Sequence, residues 1–295
     1  MLDYPAARAV AMVVQTGSFD GAARALGVTP SAISQRVRQL EDCLGTVLID
    51  RTSPCRATAA GAAICRHVEL VGLAERDLMA QFPASSATPD RVTLSVAVNS
   101  DSLATWVLPA LIAYAREGGV LLDIAVDDED HTTDWLTSGR VVAALTSVAK
   151  PVQGCTTTAL GHLRYHATAS PAFVQHHFAQ GVTPATLGHA PALTFNHKDQ
   201  LQQLWVHTVF GQRLALPTHW LPSSQGFVTA ALQGLGWGMN PLPLVQDHLT
   251  SGQLQELIPG TPLDRPLFWQ INRRAADPLQ SLSATLRRHA RAALV

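Results

Sequence analysis

The chain has 295 residues, of which 47% are hydrophobic and 15% charged, and its net charge is -1. That balance excludes a disordered or fibrous chain, and the length suits roughly two domains with real cores. No apolar run approaches the roughly 18–20 residues of a membrane span, and MLDYPAARAV lacks the basic and apolar regions of a secretion signal, so a cytoplasmic protein without a membrane partner is expected.

Residues 5–58 read as compact and helical, closing in a short two-strand hairpin. Ser18 is the N-cap of one helix, which Ala22, Ala23, Ala25 and Leu26 continue and Gly27 ends. Thr29 caps the next helix, and Pro30 sits in its first turn, where a missing N–H costs nothing. Ile33, Val37, Leu40 and Leu44 recur at spacings of four, three and four, which predicts a buried stripe. The other face carries Ser31, Ser34, Gln35 and Arg38. Such groups reach base edges when a helix lies in a DNA major groove. Arg36 and Arg51 are placed as phosphate or minor-groove contacts, and Ser18, Thr29 and Pro30 at the helix starts complete the expected DNA-facing set. Residues 1–66 hold seven arginines against five acids, a net of +2, while the rest of the chain is 14 basic against 17 acidic, or -3. A mildly basic unit on an acidic body is consistent with a DNA reader, although the helix pattern by itself leaves a plain solvated hairpin open.

A long helix is expected from Thr58 to Phe82, with Ile64, Val68, Val71, Leu78 and Phe82 near a heptad-like seam that a second copy of the chain would cover. Residues 85–90 then read as a hinge by composition. From residue 91 to 295, strands alternate with helices: Val92–Val98, 106–117, Leu121–Val126, 132–138 and Val141–Thr146 form one set. Tyr165–Thr168, 171–178, Ala192–Phe195, 200–209 and 224–233 form another, and Leu267–Ile271 with the helix 278–293 return to the first. The pattern predicts an α/β effector domain with a parallel, doubly wound sheet. Its lobes are placed at about 91–163 with 264–295, and at about 164–263, and ligand binds between them at the strand ends.

Asn99-Ser100-Asp101-Ser102 joins the first strand to its helix, where hydroxyls and N–H groups suit a carboxylate and Asp101 suits a cation. Asp127-Asp128-Glu129-Asp130 follows the second strand, so Asp127 or Glu129 is a candidate for the cleft, and a solvated loop is the plain alternative. Trp106, Ser147 and Ser224 complete the expected ligand set. The twelve histidines show no HExxH-type spacing, Gly234-Leu-Gly-Trp-Gly238 has no P-loop lysine, and no nucleophile–base pair is visible, so neither an enzyme nor a metal or other cofactor is expected. Cys43, Cys55, Cys65 and Cys155 form no CxxC pair or disulfide framework; Cys155 is a possible redox switch without a resolving partner.

Residues 17–61, running from Gly-Ser-Phe-Asp-Gly-Ala-Ala-Arg through Thr29-Pro-Ser-Ala-Ile-Ser-Gln-Arg-Val-Arg-Gln-Leu-Glu to Leu-Ile-Asp-Arg51-Thr and Thr58-Ala-Ala-Gly61, resemble the N-terminal winged helix-turn-helix of LysR-type regulators. The resemblance extends over the chain: winged domain (1–58), dimerising linker helix (59–84) and two-lobed periplasmic-binding-protein-like effector domain. Asn99–Pro109, Asp127–Thr132, Gly139–Ala144, Ser223–Phe227 and Gly234–Gly238 further resemble the ArgP/LysG subgroup. That likeness implies a homotetrameric, DNA-binding regulator whose effector is lysine or arginine and whose target is an amino-acid exporter gene. It also implies that Ser100, Asp101 and Ser102 hold the amino-acid backbone while Asp127 or Glu129 meets the cationic side chain. The chain departs from the subgroup at Gln225, where an acid often stands. Two alternatives are a regulator answering a different molecule or Cys155 oxidation, and a solute-binding α/β protein whose N-terminal helices only dimerise.

Overall fold

The computed structural model describes residues 2–79, 92–118, 120–127, 132–137 and 140–295. Helices α1 (Tyr4–Thr16), α2 (Phe19–Leu26) and α3 (Pro30–Leu44) pack on one another, and the hairpin β1 (Ile49–Asp50) and β2 (Arg56–Ala57) follows. The chain's own side chains set these boundaries. Ser18 Oγ accepts the Gly21 N–H at 3.0 Å, Gly27 ends α2 in a left-handed conformation, and Thr29 Oγ1 accepts the Ala32 N–H at 3.2 Å. Ile33, Val37 and Leu40 are buried against Ala6, Val10, Val13, Leu48 and Ile49. Leu44, expected in that stripe, is 43% exposed, because α3 has by then run past the edge of the small core.

Helix α4 (Ala59–Met79) begins where Thr58 Oγ1 accepts the Gly61 N–H at 3.1 Å. Only glycine fits at 61: a Cβ there would lie 1.9 Å from the Leu48 carbonyl oxygen. The described helix covers 59–79 of the expected Thr58–Phe82; residues 80–82 and the expected hinge at 85–90 lie outside the described residues.

The body opens with β3 (Thr93–Asn99), α5 (Ser100–Ser102), a π-turn over Leu103–Val107, α6 (Leu108–Gly118), β4 (Leu121–Asp127), α7 (Thr132–Thr137) and β5 (Ala143–Thr146). The second lobe carries α8 (Pro171–His177), α9 (Pro184–Leu187), β7 (Ala192–Thr194), α10 (Leu201–Phe210), β8 (Thr218–Trp220), α11 (Ser224–Leu232), β9 (Gly238–Pro241), α12 (Leu242–Thr250) and β10 (Gln255–Glu256). Two long strands, β6 (Cys155–Ala169) and β11 (Leu263–Asn272), join the lobes, and α13 (Gln280–Ala293) closes the chain against the first lobe.

The main sheet runs β10-β6-β11-β5-β3-β4, with β9 also on β6. Its β5-β3-β4 portion is parallel, as expected of an α/β lobe, while β11 pairs antiparallel with both β5 and β6. The sheet is therefore mixed rather than wholly parallel, because the chain leaves the first lobe along β6 and must come back alongside it along β11. Only Tyr165–Thr168 of β6 was legible as a strand; its outer half, Thr156–Ala159, is exposed and lacks an apolar alternation.

Candidate functional site: a DNA-facing helix and an interlobe cleft

On the DNA-binding unit, Thr29, Pro30, Ser31, Gln35 and Arg38 are exposed along the start and outer face of α3, while Ser34 and Arg36 are half-buried. The helix is thus apolar inward and polar outward, as insertion into a groove requires. Ser18 is half-buried and its hydroxyl is engaged as the α2 cap. Arg51 is exposed but tethered: its guanidinium carbon lies 5.1 Å from the Phe19 ring centroid, and Nη2 is 3.7 Å from Glu41 Oε2. Glu41 Oε1 in turn accepts the Leu48 N–H at 2.8 Å, so α3, the start of β1 and Arg51 are locked together.

The cleft between the lobes holds a cavity of about 220 Å³ lined from the first lobe by Asn99, Ser100, Asp101 and Asp127. From the other side come Phe195, Asp199, Gln200, Leu201, Gln203, Leu204, His207 and Arg213, with Arg265 from β11. The first-lobe groups arrive together because β3 and β4 are parallel neighbours in register, Asn99 opposite Asp127, so both strands end at the same edge.

Asp101 is the most constrained group. Its Oδ2 accepts the Tyr165 hydroxyl at 2.8 Å and its Oδ1 accepts the Ser224 hydroxyl at 2.5 Å, and Ser100 Oγ lies 2.9 Å from Ser224 Oγ. Ser224 is at the start of α11 in the second lobe, so these bonds span the cleft. Asp127 Oδ2 accepts the Trp135 indole N–H at 3.0 Å. The two Asp199 oxygens accept the Phe195 and Leu201 N–H groups, each at 2.9 Å. These bonds fix the orientation of the three carboxylates at the cavity. Asn99 is buried, and its Oδ1 has no hydrogen-bond partner among the described residues. Three carboxylates against two arginines, with a buried, unsatisfied acceptor, give one small cavity both signs of charge, which suits a ligand that carries a carboxylate as well as N–H donors and positive charge.

Several expected ligand residues sit elsewhere. Ser102 and Trp106 are buried beneath the cleft, Trp106 in the main core beside Val107 and Leu111, because the helix that follows Asn99 turns this face inward. Ser147 is half-buried after β5, away from the cavity lining, and Ser224 acts from below through Asp101. Glu129, with Asp128 and Asp130, lies outside the described residues. The sequence reading missed Asp199, Tyr165 and Arg265. Asp199 had a usable signal: it follows strand β7 and precedes a helix, the same strand-end position that singled out Asp101 and Asp127. Cys155 is buried, and burial pushes its thiol pKa up, which disfavours the thiolate that oxidation needs.

Residues 6–62 match the bacterial regulatory helix-turn-helix protein model of the lysR family, and residues 87–294 match the LysR substrate binding domain. The HTH-type transcriptional regulator LysG of Mycobacterium bovis is 40% identical over 286 residues, covering 97% of this chain and 93% of LysG. The crystal structure of ArgP from Mycobacterium tuberculosis is 39% identical with a TM-score of 0.82, covering 100% of this chain and 99% of ArgP. Full-length LysG from Corynebacterium glutamicum, solved with bound effector Arg, is 33% identical with a TM-score of 0.71, covering 99% of each chain.

Proposed function

This chain belongs to the LysR family of bacterial helix-turn-helix regulators, related to LysG and ArgP, and we propose that its interlobe cleft senses lysine or arginine. The observation that carries the reading is the mixed charge of the cleft lining, three aspartates with Arg213 and Arg265. Asp101, Asp127 and Asp199 converge on a cavity of about 220 Å³, small enough to enclose a single amino acid. Asp101, with Ser100 beside it, receives the amino-acid backbone. Asp127 or Asp199 meets the cationic side chain, and Asn99 Oδ1 accepts one of the ligand's N–H groups. Glu129, two residues after Asp127 in the chain, is a further carboxylate for the cationic end. The relative solved with bound Arg supports the same ligand class.

The protein works as a homotetramer on double-stranded DNA in the cytoplasm. Ser31, Ser34, Gln35 and Arg38 face base edges, with Thr29, Pro30 and Ser18 at the helix starts. Arg36 and Arg51 contact phosphates or the minor groove. Effector binding closes the lobes and changes transcription of an amino-acid exporter gene. Closure requires that the ligand bind the two quaternary states unequally.

A thermal-shift screen of the twenty amino acids against the full chain tests the sensing reading. Lysine or arginine raises the melting temperature, since a ligand held only by the folded state stabilises it, while neutral and acidic amino acids leave it unchanged. A shift with a neutral amino acid and none with either cation would overturn it.

A further inference from the structure

The linker helix meets the effector body along a single stripe. Glu69, Gly72, Leu73 and Arg76 fall on one helical face by their spacing. Leu73 is fully buried in the effector core with Leu94 and Val96. A Cβ on Gly72 would lie 3.1 Å from Val92 Cγ2, so the helix comes close to the start of β3. Arg76 Nη2 donates to the Tyr114 hydroxyl at 2.7 Å, and the Arg76 guanidinium carbon is 5.3 Å from the ring centroid. Glu69 Oε1 accepts the Ser95 backbone N–H at 2.7 Å. The earlier turns of the same helix pack Ala60, Ile64, Cys65 and Val68 onto the helix-turn-helix core. The helix is therefore seated in both cores at once. Of the seam residues expected to be covered by a second copy, Ile64, Val68, Val71, Leu78 and Phe82, the first two pack partly against the helix-turn-helix core of the same chain.

Glu69 stands at a particular place in this seam. Ser95 lies on β3, opposite Asp123 on β4, and these two parallel strands end at Asn99 and Asp127 in the cleft. We infer that Glu69 is a positioning residue for the regulatory step: its hydrogen bond to Ser95 holds the linker helix docked on the strands that carry the effector site, and its release uncouples the two. The inference rests on the reading of the cleft as an effector site.

The joint has two settings, docked with the carboxyl against Ser95, and released with both groups in water. A two-state contact of this kind is what coupling between distant sites requires. The balance between the two settings depends on pH. Burial, with Asp123 adding to it, pushes the Glu69 carboxyl up to about 8 from an ordinary 4.5, against the opposing pull of the Ser95 N–H and Arg66. The docked group therefore keeps a proton that a released one loses. Docking is fully supported below about 4.5, weakens as pH rises, and reaches its minimum above about 8. Cys65, one turn earlier, is held as a thiol, pushed up to about 11 by burial and by Glu69, and adds no opposing charge there.

The test uses the full chain with Glu69→Leu, which removes the acceptor, and Glu69→Gln, which keeps an acceptor oxygen and cannot ionise. Hydrogen exchange at the Ser95 amide is expected to quicken by on the order of tenfold in Glu69→Leu and to change little in Glu69→Gln. L-arginine still raises the melting temperature of Glu69→Leu, but its effect on affinity for a duplex from upstream of the protein's own gene is lost, where the wild type changes by about fivefold or more. Across about pH 6 to 9, the wild-type DNA affinity drifts and that of Glu69→Gln stays flat. Unchanged Ser95 exchange in Glu69→Leu, or a full arginine response in that variant, overturns the inference. Should the wild type bind no arginine, the sensing reading fails by itself, and Ser95 exchange with the pH profile decides the joint: a flat wild-type profile, or one that Glu69→Gln leaves unaltered, refutes it.

Discussion

In the DNA-binding unit the functional face is exposed and its supports are near neighbours in the chain, with Ser18 capping Gly21 and Thr29 capping Ala32. In the cleft the functional groups are part-buried and their supports come from far away, Asp101 being held by Tyr165 across 64 residues and by Ser224 across 123. A reading head built from local contacts keeps its shape whether or not the rest of the protein moves. A cleft whose key carboxylate is held from both lobes cannot open without exchanging those bonds for others, so its geometry reports what lies inside it. The two regions differ accordingly, one held by local contacts and the other by contacts reaching across the chain.

That division is easiest to break at the head's core. Ile33 is fully buried, so Ile33→Ala is expected to remove about 2–5 kcal/mol from the helix-turn-helix unit. Denaturant unfolding would show the loss in an early transition, while the melting shift caused by arginine persists; loss of both together would mean the two regions are one cooperative unit. A smaller effect is expected from Arg38→Ala on the exposed face: DNA affinity falls by about 1–3 kcal/mol while its salt dependence changes little, with arginine binding intact. Salt-titrated anisotropy measures both. Smaller again is Asp127→Asn, which keeps the bond from Trp135 but removes one charge among three carboxylates. Arginine affinity by calorimetry should fall about tenfold, roughly 1.4 kcal/mol, with DNA binding by the effector-free protein unchanged. An Asp127→Asn protein that binds arginine as tightly as the wild type would move the cationic end of the ligand to Asp199.

The same contrast governs what could be read from residues alone. The helix-turn-helix was legible because caps, turn glycine and apolar stripe all lie within residues 18–44, and only Leu44 departed, where the helix outruns its core. Ser100, Asp101 and Asp127 were legible as strand-end groups. Trp106 and Ser102 were misplaced because the turn after Asn99 decides which side chains face inward, and a π-turn leaves no mark in apolar spacing. Tyr165 and Arg265 had no signal at all. They lie on the two strands joining the lobes, and only the antiparallel return of β11 along β6 brings them to the cleft.

Helix α4 is also a lever. Its 21 residues make a rod about 30 Å long, pinned near one end by the Gly61–Leu48 contact, which leaves no slack for the head to swivel independently. From Glu69, where it meets β3, back to its start at Ala59 the helix spans about 15 Å, so a tilt of roughly 12° there would carry that end about 3 Å, close to one base-pair step of DNA. A change at the seam is therefore carried along the helix to the recognition helix rather than absorbed on the way.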